Sequence, residues 1–247
     1  MTTSAFIIQL RTAIAAQKSK HKTLTSDAIA AMVTADNVHI AGQLKKAKAT
    51  TGQSKVGGKP DLPADFTWPC EAGDDEAPLG FVAQINLAEV HAADLSSILP
   101  ATGMLWFFSM LDADRAGGGE LDEDTAAIRY AAKPGTLKPH KLPEFFDDND
   151  DAVIKERVIV FGPTVHVDSH DADVHDVIAK ALKKLAGTTG PVNLLKPEDD
   201  ELLLASFDGY EIAPNAFGEG FLDFSITRKD LKKGKLDAAV VDFTTGT

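Results

Sequence analysis

Ser54-Lys55-Val56-Gly57-Gly58-Lys59-Pro60-Asp61-Leu62-Pro63-Ala64-Asp65-Phe66-Thr67-Trp68-Pro69 is the stretch whose reading decides the fold. Gly57-Gly58 ahead of Lys59-Pro60 forces a turn, because glycine admits positive φ and proline keeps the residue before it extended. Pro63 and Pro69 then bar a helix, so Phe66 and Trp68 read as an extended piece laid on a core. Outward from this turn, Phe81 to Ile85 alternates as a strand, with Phe81, Ala83 and Ile85 on one face and Gln84 and Asn86 on the other. Met104 to Met110, announced by Gly103, is the most apolar run and reads as a central strand buried on both faces. Ala88 to Leu99 between them has helical spacing.

Helices and strands are then read on either side. Phe6, Ile7, Leu10 and Ile14 form one stripe of an amphipathic helix over Thr3 to Lys20, and Thr25 or Ser26 opens a second helix to about Val33. Val38, Ile40 and Leu44 suit a strand, with Lys45, Lys46 and Lys48 as a solvated edge. Val153 to Val167 gives one or two strands, and Asp173 to Leu185 a helix ending at Gly187. Ala126 to Ala131, Leu202 to Ala205, Phe221 to Ile226 and Ala238 to Phe243 complete the strands. Leu79 to Gln84 followed by Gly103-Met-Leu-Trp-Phe resembles Leu202 to Ser206 followed by Gly220-Phe-Leu-Asp-Phe, a hint of internal duplication. The expected architecture is α+β: mixed, largely antiparallel sheets with peripheral helices and an N-terminal helical pair. Residues 1–50 form a helical segment packed on the body, and residues 51–247 one α+β domain.

Several elements together resemble the YwqG-like family, a bacterial domain family of unknown function. They are Gly57-Gly58-Lys59-Pro60-Asp61-Leu62-Pro63, Trp68-Pro69, Pro78-Leu79, Ala83-Gln84-Ile85-Asn86-Leu87 and Leu99-Pro100, with Gly103 and Leu105 to Phe108. The resemblance continues from Glu201 to Phe243 and so covers most of the chain after residue 50. It implies an α+β fold and an intracellular bacterial protein, and no established activity. Two regions depart from the family pattern: the tract His166 to Asp176, where members often carry a His-x-x-Gly-Gly turn, and the acidic insert Asp112 to Asp124.

The net charge is −12 and unevenly placed. Residues 1–60 hold nine Lys/Arg and two Asp/Glu, whereas the remainder holds sixteen against thirty-five. Phosphate contacts need Lys and Arg, so an acidic body argues against nucleic acid and would steer a basic partner. Cys70 is the single cysteine, which excludes an internal disulfide and a cysteine zinc site. The sequence shows neither a secretory signal nor a membrane-length apolar run, and the expected compartment is the cytoplasm.

Candidate chemistry is sparse. His166, Asp168, His170 and His175 combine imidazole and carboxylate where a strand meets a helix, a ligand set suited to a divalent metal such as zinc. The same aspartates equally suit the start of a helix, which favours acidic caps. Trp68, Gln84, Asn86 and Trp106 would line a polar ligand-binding groove, and the two amides serve equally to satisfy neighbouring backbone groups. The triple glycine Gly117 to Gly119 has no Lys-Ser or Lys-Thr after it, and Asp147 to Asp151 lacks the glycine and glutamate of a calcium loop. No nucleophile elbow, Walker A or dinucleotide fingerprint is present. The sequence therefore points to a non-catalytic binding module for a basic protein, of immunity or regulatory type. Two alternatives stand beside it: a metal-dependent hydrolase using the His166 to Asp176 tract, and a small-ligand scaffold.

Overall fold

The computed structural model describes residues 1–17, 25–71, 77–111, 125–147, 153–167, 169, 171–198, 201–217 and 219–245. Twelve strands are found there: β1 (Val38–Lys45), β2 (Lys55–Val56), β3 (Asp61–Leu62), β4 (Gly80–Asn86), β5 (Met104–Ser109), β6 (Ala126–Ala131), β7 (Lys138–Pro139), β8 (Arg157–Val165), β9 (Val192–Pro197), β10 (Leu202–Asp208), β11 (Gly220–Ile226) and β12 (Val240–Thr245). Ten form a single sheet in the order β12-β11-β10-β9-β1-β8-β2-β4-β5-β6, and β3 pairs with β7 in a small second ladder. Every pairing in the large sheet is antiparallel.

The sheet curls into a nearly closed barrel. Alternate side chains of each strand point inward, and the curl brings the two ends of the sheet face to face. Phe107 on β5 meets Phe207 on β10 and Phe224 on β11 edge-on, with ring centroids 5.1 and 5.0 Å apart. β6 and β12 do not pair with each other. A short 3-10 turn, Leu236–Ala238, packs against β6 and fills the seam. On the other face of β5 the rings of Phe66 and Trp68 cover Trp106 and Phe108, so the strand has no exposed residue over its whole length.

The α+β expectation, with its N-terminal helical pair, is therefore overturned: one antiparallel sheet makes the architecture, and the helices are few. The first helices do form, α1 (Thr3–Ala15) capped by Thr2 and α2 (Ser26–Met32) capped by Thr25. They do not make a layer of their own against the barrel core. Phe6, Ile7, Leu10 and Ile14 of α1 join Ile29 of α2, Val165 and Val167 at the end of β8, and Val174, Ile178 and Leu182 of a later helix in a separate apolar cluster. That later helix spans Ala172–Lys184. The long helix expected over Ala88 to Leu99 is one turn, α3 (Leu87–Val90). Beyond it the Asp94 carboxylate accepts from the backbone of Ser96, Ser97 and Leu99, a local arrangement that competes with helix. The helix Ala172–Lys184 is accordingly α4, and two single turns, α5 (Gly209–Ile212) and α6 (Pro214–Phe217), and α7 (Arg228–Lys232) follow.

The sheet has two five-stranded halves whose strand orders mirror one another. Each half's first strand lies beside the other half's second strand: β1 pairs with β9, and β8 with β2. A register shift interrupts β4–β5 between Phe81 and Ala83 and β10–β11 between Leu203 and Ala205. Asn86 caps the turn after β4 and Asp208 the turn after β10. The bulge at Val82 also defeats the expected alternation, so Gly80 to Ile85 are all buried. The division expected at residue 50 runs through this sheet, since β1 lies at its centre. Removing the Phe107 ring should leave a cavity at the meeting point of the halves: Phe107→Ala is expected to lose about 3–5 kcal/mol in urea denaturation at unchanged oligomeric state.

Candidate functional site

The residues expected to line a ligand groove are engaged with the loop before them. Gln84 is fully buried: its Oε1 accepts from Asp61 N at 2.8 Å, and its Nε2 donates to Gln53 O at 2.8 Å and Asp61 Oδ2 at 2.7 Å. Trp106 Nε1 donates to Asp61 O at 3.0 Å, and Trp68 Nε1 to Leu79 O at 2.8 Å. Asn86 donates to Gly52 O at 2.8 Å and caps α3 through Ala88 N at 3.0 Å. The structure thus gathers Gln84 and Trp106 on Asp61, while Trp68 and Asn86 serve separate backbone segments.

Lys55, which the sequence reading passed over, sits at the centre of this region. Its side chain is 4% exposed; Nζ donates to Lys59 O at 2.6 Å and lies 3.4 Å from both Asp61 Oδ2 and Glu156 Oε2. The other oxygen of Glu156 accepts from Ala49 N at 3.0 Å. The turn itself needs glycine: Gly57 has φ of +61°, and a Cβ there would lie 2.2 Å from the Ile154 carbonyl oxygen. A lysine beside a valine in a strand gives no sequence signal that its ammonium is buried.

Asp168 and His170 of the expected metal tract lie outside the described residues. His175 Nε2 is 2.5 Å from the Ser169 carbonyl, and Asp171 caps α4 by accepting from Asp173 N at 2.9 Å. His166 lies on the other side, its ring centroid 6.5 Å from that of His39. Among the described residues no three His, Cys, Asp or Glu side chains gather as a metal set. His39 was missed because it alternates as an ordinary strand residue between Val38 and Ile40. It is 6% exposed, with Nδ1 3.2 Å from Asn37 O and Nε2 3.2 Å from the Asn193 carboxamide. Burial pushes its pKa down to about 4 against those two hydrogen bonds. With His166, Asp94, Lys196 and Arg228 it borders a cavity of about 760 Å³ at one rim of the barrel.

The opposite rim carries the charge. The described residues hold 22 Asp/Glu against 21 Lys/Arg, so the framework is close to neutral. The acidic excess lies in the remaining segments, and three of these, 72–76, 112–124 and 148–152, contain twelve carboxylates. Described residues that flank all three lie at one rim. The first is closed by the Cys70–Pro78 bridge just before β4, the second by the Met110 N to Thr125 O bond of 2.8 Å between β5 and β6, and the third returns at Ile154, whose carbonyl accepts from Gly58 N at 2.9 Å. In register, Gly80 lies opposite Ser109, Ser109 opposite Ala126, and Val56 opposite both Ala83 and Arg157. On the same rim, a cleft of about 1110 Å³ is bordered by Lys46, Lys48, Lys155, Arg157 and Tyr210.

The family model for a domain of unknown function, DUF1963, matches residues 54–244, and the chain belongs to that family. β1, at the centre of the sheet, precedes the matched segment. No curated protein matches the sequence. No helix among the described residues is long and apolar enough to cross a membrane.

Lys55→Met should strand Asp61 and Glu156 beside an apolar group, and a loss of about 3–5 kcal/mol in urea denaturation is expected. The lowered pKa of His39 makes a second expectation. Its folded value, about 4, is below the ordinary 6.5, so the unfolded chain binds the proton first and stability falls as pH drops through that window. Between pH 7 and pH 5 this one group should remove about 2 kcal/mol. His39→Gln, compared with the parent by urea denaturation at both pH values, should flatten the dependence by that amount.

Proposed function

We propose that the chain is a YwqG-like member of DUF1963 that acts in the bacterial cytoplasm as a non-catalytic binding module for a basic protein, as an immunity or regulatory protein would. The observation that carries this reading is that twelve carboxylates fall in three stretches of sequence whose described flanking residues lie at one rim of a near-neutral framework. A concentrated negative field at one end raises the rate and selectivity with which a cationic surface docks there. The framework supports the reading in a second way: Gln84, Asn86 and Trp106 are committed to holding residues 52–61, so these groups serve the fold and are not free for a small ligand. The single cysteine, Cys70, accords with a reducing compartment.

The test uses the full chain as bait in lysate from its native cells, with the captured protein identified and then purified. Replacing Asp112, Asp114, Asp122, Glu123 and Asp124 by Asn or Gln should weaken the purified pair by about tenfold or more, and raising salt should weaken the parent pair in the same sense. Capture of no protein, or of a partner that binds the neutralised variant equally well, would count against the reading.

A further inference from the structure

The same rim holds one region of opposite sign. Lys46 and Lys48 follow the end of β1, Lys155 precedes β8 and Arg157 opens it, and Tyr210 in α5 borders the same cleft. The three lysines are exposed, and none has a carboxylate partner among the described residues. The neighbouring Glu156 is already committed to Lys55 and Ala49 N, which leaves Glu211 as the acid facing Arg157. Arg157 is half-buried and oriented: Nη2 donates to Ile212 O at 2.8 Å. Its Nε is buried and has no acceptor within hydrogen-bond reach among the described residues. The remainder of the half-buried guanidinium borders the cleft, where an anion can supply oxygens to it. Tyr210 is 61% exposed and borders the cleft, and its ring offers a flat apolar face to a planar group.

We propose that this cleft binds a small phosphate ester carrying a planar ring, with Arg157, Lys155, Lys46 and Lys48 on the phosphate and Tyr210 against the ring. A guanidinium fixed by a backbone carbonyl supplies direction, and the three flexible ammonium groups supply the charge that a dianion needs. The proposal stands on the cleft alone and does not depend on a basic protein partner.

Isothermal titration calorimetry of the full chain with adenosine monophosphate, inorganic phosphate and adenosine tests it. The nucleotide should bind, inorganic phosphate more weakly, and adenosine not measurably. The exposed triple variant Lys46→Ala, Lys48→Ala, Lys155→Ala touches no buried group and should weaken nucleotide binding by about tenfold or more. Arg157→Gln should do the same, and Tyr210→Ala should reduce nucleotide affinity while leaving that for inorganic phosphate unchanged. No heat with either phosphate compound at millimolar concentration would overturn the proposal, as would binding that the triple variant leaves intact. Binding that appears only after Asp148, Asp150 and Asp151 are replaced by Asn would also overturn it, since the cations would then serve the chain's own carboxylates.

Discussion

The ten-stranded sheet is continuous only because a two-residue strand stays in place. Among the described residues β2 is the sole link between β8 and β4 in the sheet, and Lys55 and Val56 offer few ladder bonds with which to hold it. Side chains make up the difference. Ser54 N donates to Glu89, Ser54 Oγ accepts from Asn86 N, and the Lys55 ammonium is enclosed by Lys59 O, Asp61 and Glu156. A buried charge of this kind is tolerated because its donors are all taken, and it fixes the register of its neighbours by the same directionality. The glycine pair then turns the chain against Ile154 and Glu156, so the network on one side of β2 and the close backbone approach on the other act on the same few residues.

Much of the sheet was legible in the sequence because period-two patterning and turn residues act locally. β5 and β11 fall where apolar residues and glycine place them, and α2 and α4 where stripe and cap coincide, whereas β12 starts at Val240, two residues after the expected Ala238, and α1 ends at Ala15, short of the expected Lys20. The architecture was not legible, because pairing partners are set by contacts distant in sequence. The approach of β5 to β10 and β11 that turns the sheet into a barrel leaves no local trace. β9 went unread for a different reason: Leu195 takes a positive φ of 54° within the strand, so Leu194 and Leu195 are both buried and the alternation is lost. The helix expected after Asn86 failed where Asp94 offered the backbone a rival set of hydrogen bonds.

The candidate site was legible in kind more than in detail. Total charge can be read from composition, but its separation into a near-neutral framework and acidic connecting segments depends on where strands begin and end. Trp68, Gln84, Asn86 and Trp106 stand out in sequence because polar atoms interrupt apolar runs, and that signal cannot distinguish an outward contact from an internal one. Here each of the four has a backbone partner. Arg157 and Lys55 carried no such mark, since a cation next to a hydrophobic residue is the commonest pattern on any strand.

The crossing of first strands bears on how the chain can be divided. Because β1 is held between β9 and β8, neither half is a self-contained folding unit. A fragment beginning at Ser54, where the family match begins, would leave β8 and β9 with facing open edges in the middle of the sheet, the kind of exposed backbone that recruits a foreign strand. The strand ahead of the family match is therefore a structural part of the sheet, since it alone fills the gap between β8 and β9 among the described residues.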